Sequence, residues 1–247
     1  MQVKTATKWL LVLLIFSLIM GCSKDKNPTE PAEENPPEFN MKTIPIPQKM
    51  AQSADPNVQL AVSYIAMANS ISNYGSYFTP PPKSKTLAKD LEVQNGGTWT
   101  RTWTLDSLTI TMTVSSTDSQ YVWDILVTGT LYGHAYNNWK MIHAERMKDE
   151  KSGLMIIYKD NSTEIAAKWT WNIDEQNVFT VTMTFDTPED GKIEIMLNPD
   201  GSGELNHYKW YVDTFVFDLK VKWNTDGSGQ WWTYNENGDV KNSGSCS

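Results

Sequence analysis

The chain of 247 residues contains only two cysteines, Cys22 and Cys246, at opposite ends. A multi-bridge disulfide scaffold is therefore excluded. Three histidines, His134, His143 and His207, fall on separate stretches and offer no metal-ligand spacing. A Gly-x-Ser-x-Gly nucleophile elbow is missing. No apolar run approaches the roughly 20 residues of a membrane-spanning helix. Basic residues are scarce as well, 21 Lys and Arg against 29 Asp and Glu. That balance argues against nucleic acid as a partner and against charge-driven adhesion to an anionic bilayer.

What is present begins with an ordered leader. Lys4 and Lys8 precede twelve nearly uninterrupted apolar residues, Trp9 to Met20, and then the small residue Gly21. Charge, apolar run and small residue in that order form a secretory signal peptide. Twelve helical residues span roughly 18 Å, short of the roughly 30 Å hydrocarbon core. The stretch "LIMGC" resembles the lipobox of bacterial lipoproteins, with Gly21 and Cys22 at the cleavage position. The resemblance covers residues 1–22 and implies cleavage before Cys22, a thioether-linked lipid on that cysteine and anchorage in the cell envelope. Ser23 after the cysteine would permit outer-membrane delivery under a sorting rule familiar from some bacteria. A lipidated Cys22 cannot pair with Cys246. Losing Lys4 and Lys8 with the leader leaves 19 basic against 29 acidic side chains, a formal charge of −10.

Residues 23–40, "SKDKNPTEPAEENPPEFN", carry four prolines and five acids and read as an extended tether. The expected division is leader 1–21, lipidated cysteine and acidic tether 22–52, helix and proline-rich connection 53–82, and β domain 83–247, the last two packed as one domain. The helix is expected from Asp55 to Asn73, with Ser53 or Asp55 as cap, Pro56 in the first turn and Gly75 beyond the end. Val58, Ala61, Val62, Ile65 and Ala68 make a narrow apolar stripe suited to a sheet. "TPPPK" (Thr79 to Lys83) closes this region.

Beyond about Val93 the period becomes 2. In "LTITMTV", Leu108, Ile110, Met112 and Val114 oppose Thr109, Thr111 and Thr113; "VFTVTMTF" repeats the pattern from Phe179 to Phe185. Ile165, Ala167, Trp169, Trp171 and Ile173 are expected on one face of a strand. Phe215, Phe217, Leu219, Val221 and Trp223 are expected likewise on another. Ten to twelve antiparallel strands with short connections predict a mainly β fold: an up-and-down meander forming a curved sheet or open barrel, with one N-terminal helix packed on it. A two-sheet sandwich is the alternative.

The candidate sites are few. "NPDGSGE" (198–204) and "NTDGSGQ" (224–230), with "NENGD" (235–239) as a relative, have the alternating oxygens of a calcium loop but lack its closing glutamate, so they read as hairpin turns. His143 and Glu145 share a strand face and read as surface residues. A hydrolase would need a carboxylate pair, for instance Asp124 or Glu145 with Glu164 or Glu194. Cys246 has no activating neighbour. Trp99, Trp103, Trp231 and Trp232 are the candidate ligand-binding residues, since an exposed indole stacks on sugar rings or lines an apolar pocket. The expectation is thus a noncatalytic envelope lipoprotein with neither metal nor cofactor. It is held to the membrane through Cys22 and binds a hydrophobic small molecule or an envelope component; a glycan-binding surface module is the alternative.

Overall fold

The computed structural model describes residues 37–78, 89–94, 98–187 and 191–246. The leader, Gly21, Cys22 and "TPPPK" lie outside them. Two helices, α1 (Gln48–Gln52) and α2 (Pro56–Phe78), precede β1 (Lys89–Gln94), β2 (Thr98–Leu105), β3 (Leu108–Ser116), β4 (Gln120–Leu131), β5 (His134–Met147), β6 (Ser152–Tyr158) and β7 (Ile165–Ile173). After them come β8 (Phe179–Phe185), β9 (Lys192–Leu197), β10 (Gly203–Tyr211), β11 (Thr214–Trp223), β12 (Gly229–Tyr234) and β13 (Val240–Cys246). The thirteen strands make one antiparallel sheet in sequence order. The expected meander is observed, but β1 and β13 do not pair, so the sheet is open and neither a closed barrel nor a two-sheet sandwich forms.

Period-2 patterning builds the inner face. Ile110, Met112 and Val114 of β3 and Phe179, Val181 and Met183 of β8 are buried, while the threonines between them face outward, half-buried. Two irregularities override the pattern. In the β6–β7 ladder the register slips between Ile157 and Tyr158, which leaves Ile165 exposed rather than in the core. Between β10 and β11, His207 pairs with Leu219 but Tyr208 pairs with Phe217, so Asp218 is an extra residue. A one-residue bulge reverses which side each later side chain takes. Leu219, Val221 and Trp223 remain buried, whereas Phe215 and Phe217 turn to the outer face, contrary to the alternation expected from sequence.

Inner-face tryptophans lie over glycines on the neighbouring strand. Gly153 faces Trp171, Gly203 faces Trp223 and Gly244 faces Trp231, and a Cβ added to these glycines would come within 2.3, 2.3 and 2.6 Å of the respective indole. The missing side chain is the space the indole occupies.

The inner face is covered by the chain's own N-terminal region. Residues 37–55 run across the strand ends as a strap: Trp123 Nε1 donates to the Pro37 carbonyl at 3.3 Å, Phe39 packs edge-on against Trp123 and Trp171, and Lys49 pairs with Asp226 at 2.9 Å. Phe39, Met41, Ile44 and Met50 are all buried. The stretch expected as tether up to residue 52 is thus part of the core from Phe39 onward. Its alternating buried residues are too few for a periodicity to be read.

Asp55 then caps α2, its Oδ1 accepting from the N–H of Asn57 at 2.8 Å, while its Oδ2 accepts from Trp231 Nε1 at 3.0 Å. The helix continues through Gly75 to Phe78, beyond the expected stop. Val58, Ala61, Ile65, Ala68 and Ile71 are fully buried, and the two alanines let the helix approach the sheet closely. Asn69 clamps the strap from above: its Oδ1 accepts from Ile44 N–H at 2.8 Å and its Nδ2 donates to Ile44 C=O at 2.7 Å.

Candidate functional site

The two ends of the sheet differ in chemistry. At the strap end, the "NPDGS" and "NTDGS" turns fold identically. In each, the asparagine N–H donates to the serine carbonyl four residues on, the aspartate Oδ1 accepts from the serine N–H and O–H, and the glycine sits at positive φ, +87° and +80°. Their oxygens are used in closing hairpins. Among the described residues no group of three or more His, Cys, Asp or Glu is placed to hold a metal.

The opposite end, here the tip end, gathers six of the seven exposed large apolar side chains found among the described residues: Tyr132, Ile165, Tyr211, Val212, Phe215 and Val240. Tyr132 is 78% exposed and Val212 76% exposed, both at the crest of two-residue hairpins with φ of +49° and +41°. Left-handed backbone favours Asn and Gly, and a β-branched residue there is strained. Glycine takes this conformation at both ends, as Gly133, Gly191 and Gly238 at the tip end and Gly201 and Gly227 at the strap end. The apolar crests therefore cost stability and make Tyr132 and Val212 candidate contact positions.

Between the long β4–β5 hairpin and the β6–β7 loop, at this tip end, lies an open cleft of about 730 Å³. Trp139 forms part of its wall, and the rest of the lining is rich in amides and hydroxyls, including Asn137, Asn138, Asn161, Tyr158 and Ser162. The indole is fixed on two sides. Its Nε1 donates to the Lys159 carbonyl at 2.9 Å, and Tyr136 stacks on it with ring centroids 5.3 Å apart. Asn161 Nδ2 donates to the Ala135 carbonyl at 2.8 Å, tying the loop to the hairpin. Burial, then the charge of Asp160, holds the Tyr136 phenol above its usual range, so it remains protonated.

Lys140, also in the cleft wall, connects to a charged row on the outer face. Asp124 Oδ1 accepts from Lys140 Nζ at 2.9 Å and from His143 Nδ1 at 2.8 Å, and His143 Nε2 donates to Glu145 Oε1 at 3.0 Å. The hydrogen bond to Asp124 outweighs burial and, with the bond to Glu145, raises the His143 pKa. Burial alone would raise Asp124, but His143 and Lys140 overcome it and hold the carboxyl below its usual value. An imidazolium donating from both nitrogens has no lone pair left for proton abstraction. With His143 protonated the row balances two acids with two cations, and Asp124 fixes Lys140. The other acids named from sequence are engaged elsewhere: Glu164 with Lys159 at 2.8 Å, and Glu194 with the Tyr208 hydroxyl at 2.7 Å. Glu194, on β9, lies four strands from Glu145, roughly 19 Å away at the inter-strand spacing.

A second histidine, His207, is 7% exposed and lies under α2. Its Nδ1 meets Asp218 Oδ2 at 3.0 Å, and the Tyr64 ring tilts over it at 4.9 Å, closing the core edge beside the bulge. His134, by contrast, is an exposed residue at the start of β5.

The tryptophans named from sequence separate. Trp99 and Trp103 pair with Val114 and Ile110, so both take the inner side and pack on the core. Trp231 is buried against Asp55. Trp232 pairs with Lys220 on the outer face, half-buried. Cys246, expected in a polar tail, ends β13 instead and is buried, with burial raising its thiol pKa.

Sequence reasoning passed over Tyr136 and Trp139. The available signal was "YGHAYNNW", where Asn137–Asn138 interrupts alternation beside two aromatics; Asn138 adopts φ of +55°. No protein-family model matches the chain, and no curated protein matches it either.

Proposed function

We propose that the protein is a lipid-anchored envelope module that binds a glycan noncatalytically in the cleft at the tip end. One observation carries the reading: a tryptophan fixed by a hydrogen bond and a stacked tyrosine stands in the wall of a cleft whose remaining lining, beside Ala135 and the ion-paired Lys140, is amides and hydroxyls. A pyranose presents an apolar C–H face and a rim of hydroxyls, and that lining offers a partner to each. An apolar ligand held against the sheet is the weaker reading, because α2 and the strap already cover the inner face.

Cys22 would carry the lipid, with two or more acyl chains giving stable attachment. The fifteen residues from Cys22 to Pro37 extend at most about 50 Å, so the domain could stand clear of the surface. The strap enters at one end of the strands and the cleft opens at the other.

The test is a glycan array probed with the full chain in detergent, followed by fluorescence titration of any hit. Trp139→Ala should weaken binding at least tenfold, and mass analysis of membrane-extracted protein should find an acylated Cys22 as the N-terminus. A silent array, or unchanged affinity in Trp139→Ala, sinks the glycan reading. An unmodified chain that retains Met1 to Gly21 sinks the anchor.

A further inference from the structure

We propose that the outer face of β10 to β12 is a second sugar-contact surface, so that the ligand is an extended, neutral polysaccharide rather than a short glycan. This rests on the glycan reading of the cleft. The observation behind it is independent: the bulge at Asp218 turns Phe215 and Phe217 outward, where they join Tyr208 and Trp210 of β10 and Tyr234 of β12. Trp210 meets Phe215 at 4.8 Å, Tyr208 meets Phe217 at 4.6 Å and Phe217 meets Tyr234 at 5.4 Å between centroids. Lys192 lies over both Tyr208 and Phe215, at 4.2 and 5.6 Å, and joins the two groups into one strip.

Elsewhere the outer face carries threonines, as on β3 and β8, or the charged row of β4 and β5. A row of five half-buried to exposed rings on the outer face is the departure that needs a cause, because apolar surface left partly open to solvent marks contact sites. Phe215 is 37% exposed, and the adjoining hairpin carries exposed Tyr211 and the strained Val212.

The electrostatics select the occupant. Lys192 is paired with Glu194 at 3.0 Å, and Lys220 and Lys222 are paired with Glu204 at 2.7 and 2.9 Å. Three cations thus share two carboxylates, and with the exposed Asp213 of the adjoining crest the charges beside the strip sum to zero, leaving little field for a polyanion. Asp213 at the hairpin crest, exposed, opposes insertion into a bilayer. Rings on alternate residues repeat about every 6.8 Å along a strand, and flat neutral sugars stack on such rows without needing charge. Trp139 pairs with the inner-face Val127, whereas the strip lies on the outer face beyond β8 and β9, so only a sugar chain long enough to round the tip end engages both surfaces and gains by effective concentration.

The test compares soluble neutral polysaccharides, a β-glucan and a xylan, with their tetrasaccharides, using the full chain in detergent. W210A/F215A should lose at least tenfold in affinity for the polymer and keep its tetrasaccharide affinity; Trp139→Ala should lose both. Phe215→Ser serves as a milder variant, and matched melting curves establish that each variant is folded. Unchanged polymer affinity in folded W210A/F215A overturns the strip and leaves the cleft reading standing. Failure of the wild-type chain to bind any polymer or tetrasaccharide overturns both. Flotation with neutral phosphatidylcholine vesicles, lost in W210A/F215A, would assign the strip to lipid and overturn it equally.

Discussion

Gly203 lies directly across the β9–β10–β11 ladder from Trp223, whose indole occupies the space a side chain at 203 would need. A methyl there would come within 2.3 Å of the ring and 2.5 Å of the Met196 carbonyl. Gly203→Ala should therefore destabilise the protein by about 1–3 kcal/mol, the usual cost of forcing a packed site apart. Urea unfolding of the variant checks this, and Trp223→Leu in the same background should recover part of the loss.

Asp55 carries two duties, as cap of α2 and as acceptor for Trp231 Nε1. Asp55→Ala removes both and should cost about 2–4 kcal/mol, a cap at about 1 and a buried donor left unpaired at about 1–3. Asp55→Asn retains most of the cap and should fall between the variant and the wild type. Thermal melts of the three proteins order them.

His143 should titrate above the roughly 6.5 of an unperturbed imidazole. A raised folded-state pKa means that its contribution to stability is fully present below the unfolded value. The contribution is lost as pH rises through the folded value. Asp124 behaves oppositely: its depressed folded pKa gives stability above the unfolded value that disappears as pH falls through the folded one. NMR titration of the His143 ring locates the first, and His143→Gln should flatten the alkaline limb of the stability profile.

The Asn69 clamp on Ile44 predicts a local effect. Asn69→Ala should leave the sheet intact, cost about 1–3 kcal/mol, and raise amide exchange in the strap before any strand. Hydrogen exchange followed by mass spectrometry resolves the two.

Much of this architecture was legible because alternation is the direct trace of a sheet with one dry face, and the runs around Met112 and Met183 were read correctly. What escaped was set by single residues acting on register. Asp218 moved Phe215 and Phe217 to the other face, and no local property of "FVFDLKVKW" distinguishes a bulge from a regular strand. The strap escaped because its few apolar residues sit in a proline-rich setting, and its hydrogen-bonded partners on the sheet lie 86 to 177 positions away. Of the tryptophans named in advance, Trp99, Trp103 and Trp231 turned inward and Trp232 outward, whereas Trp139 came to the cleft through a turn-like pair of asparagines.

The strap also dictates the order of events in folding. Lys49 meets Asp226 and Asp55 meets Trp231 across 177 and 176 positions. Neighbouring strands can zip as each hairpin is made, since their contacts are local, but the segment that covers them is synthesised first, and its last seats, Asp226 for Lys49 and Trp231 for Asp55, exist only when β11 and β12 have formed. Closing loops of that length precedes any gain from the contacts, which slows the final step. Until then Trp231 lacks its Asp55 partner, so the slowest phase of refolding should track the quenching environment of Trp231 and should disappear in a variant whose strap is freed by Asn69→Ala and Asp55→Ala together.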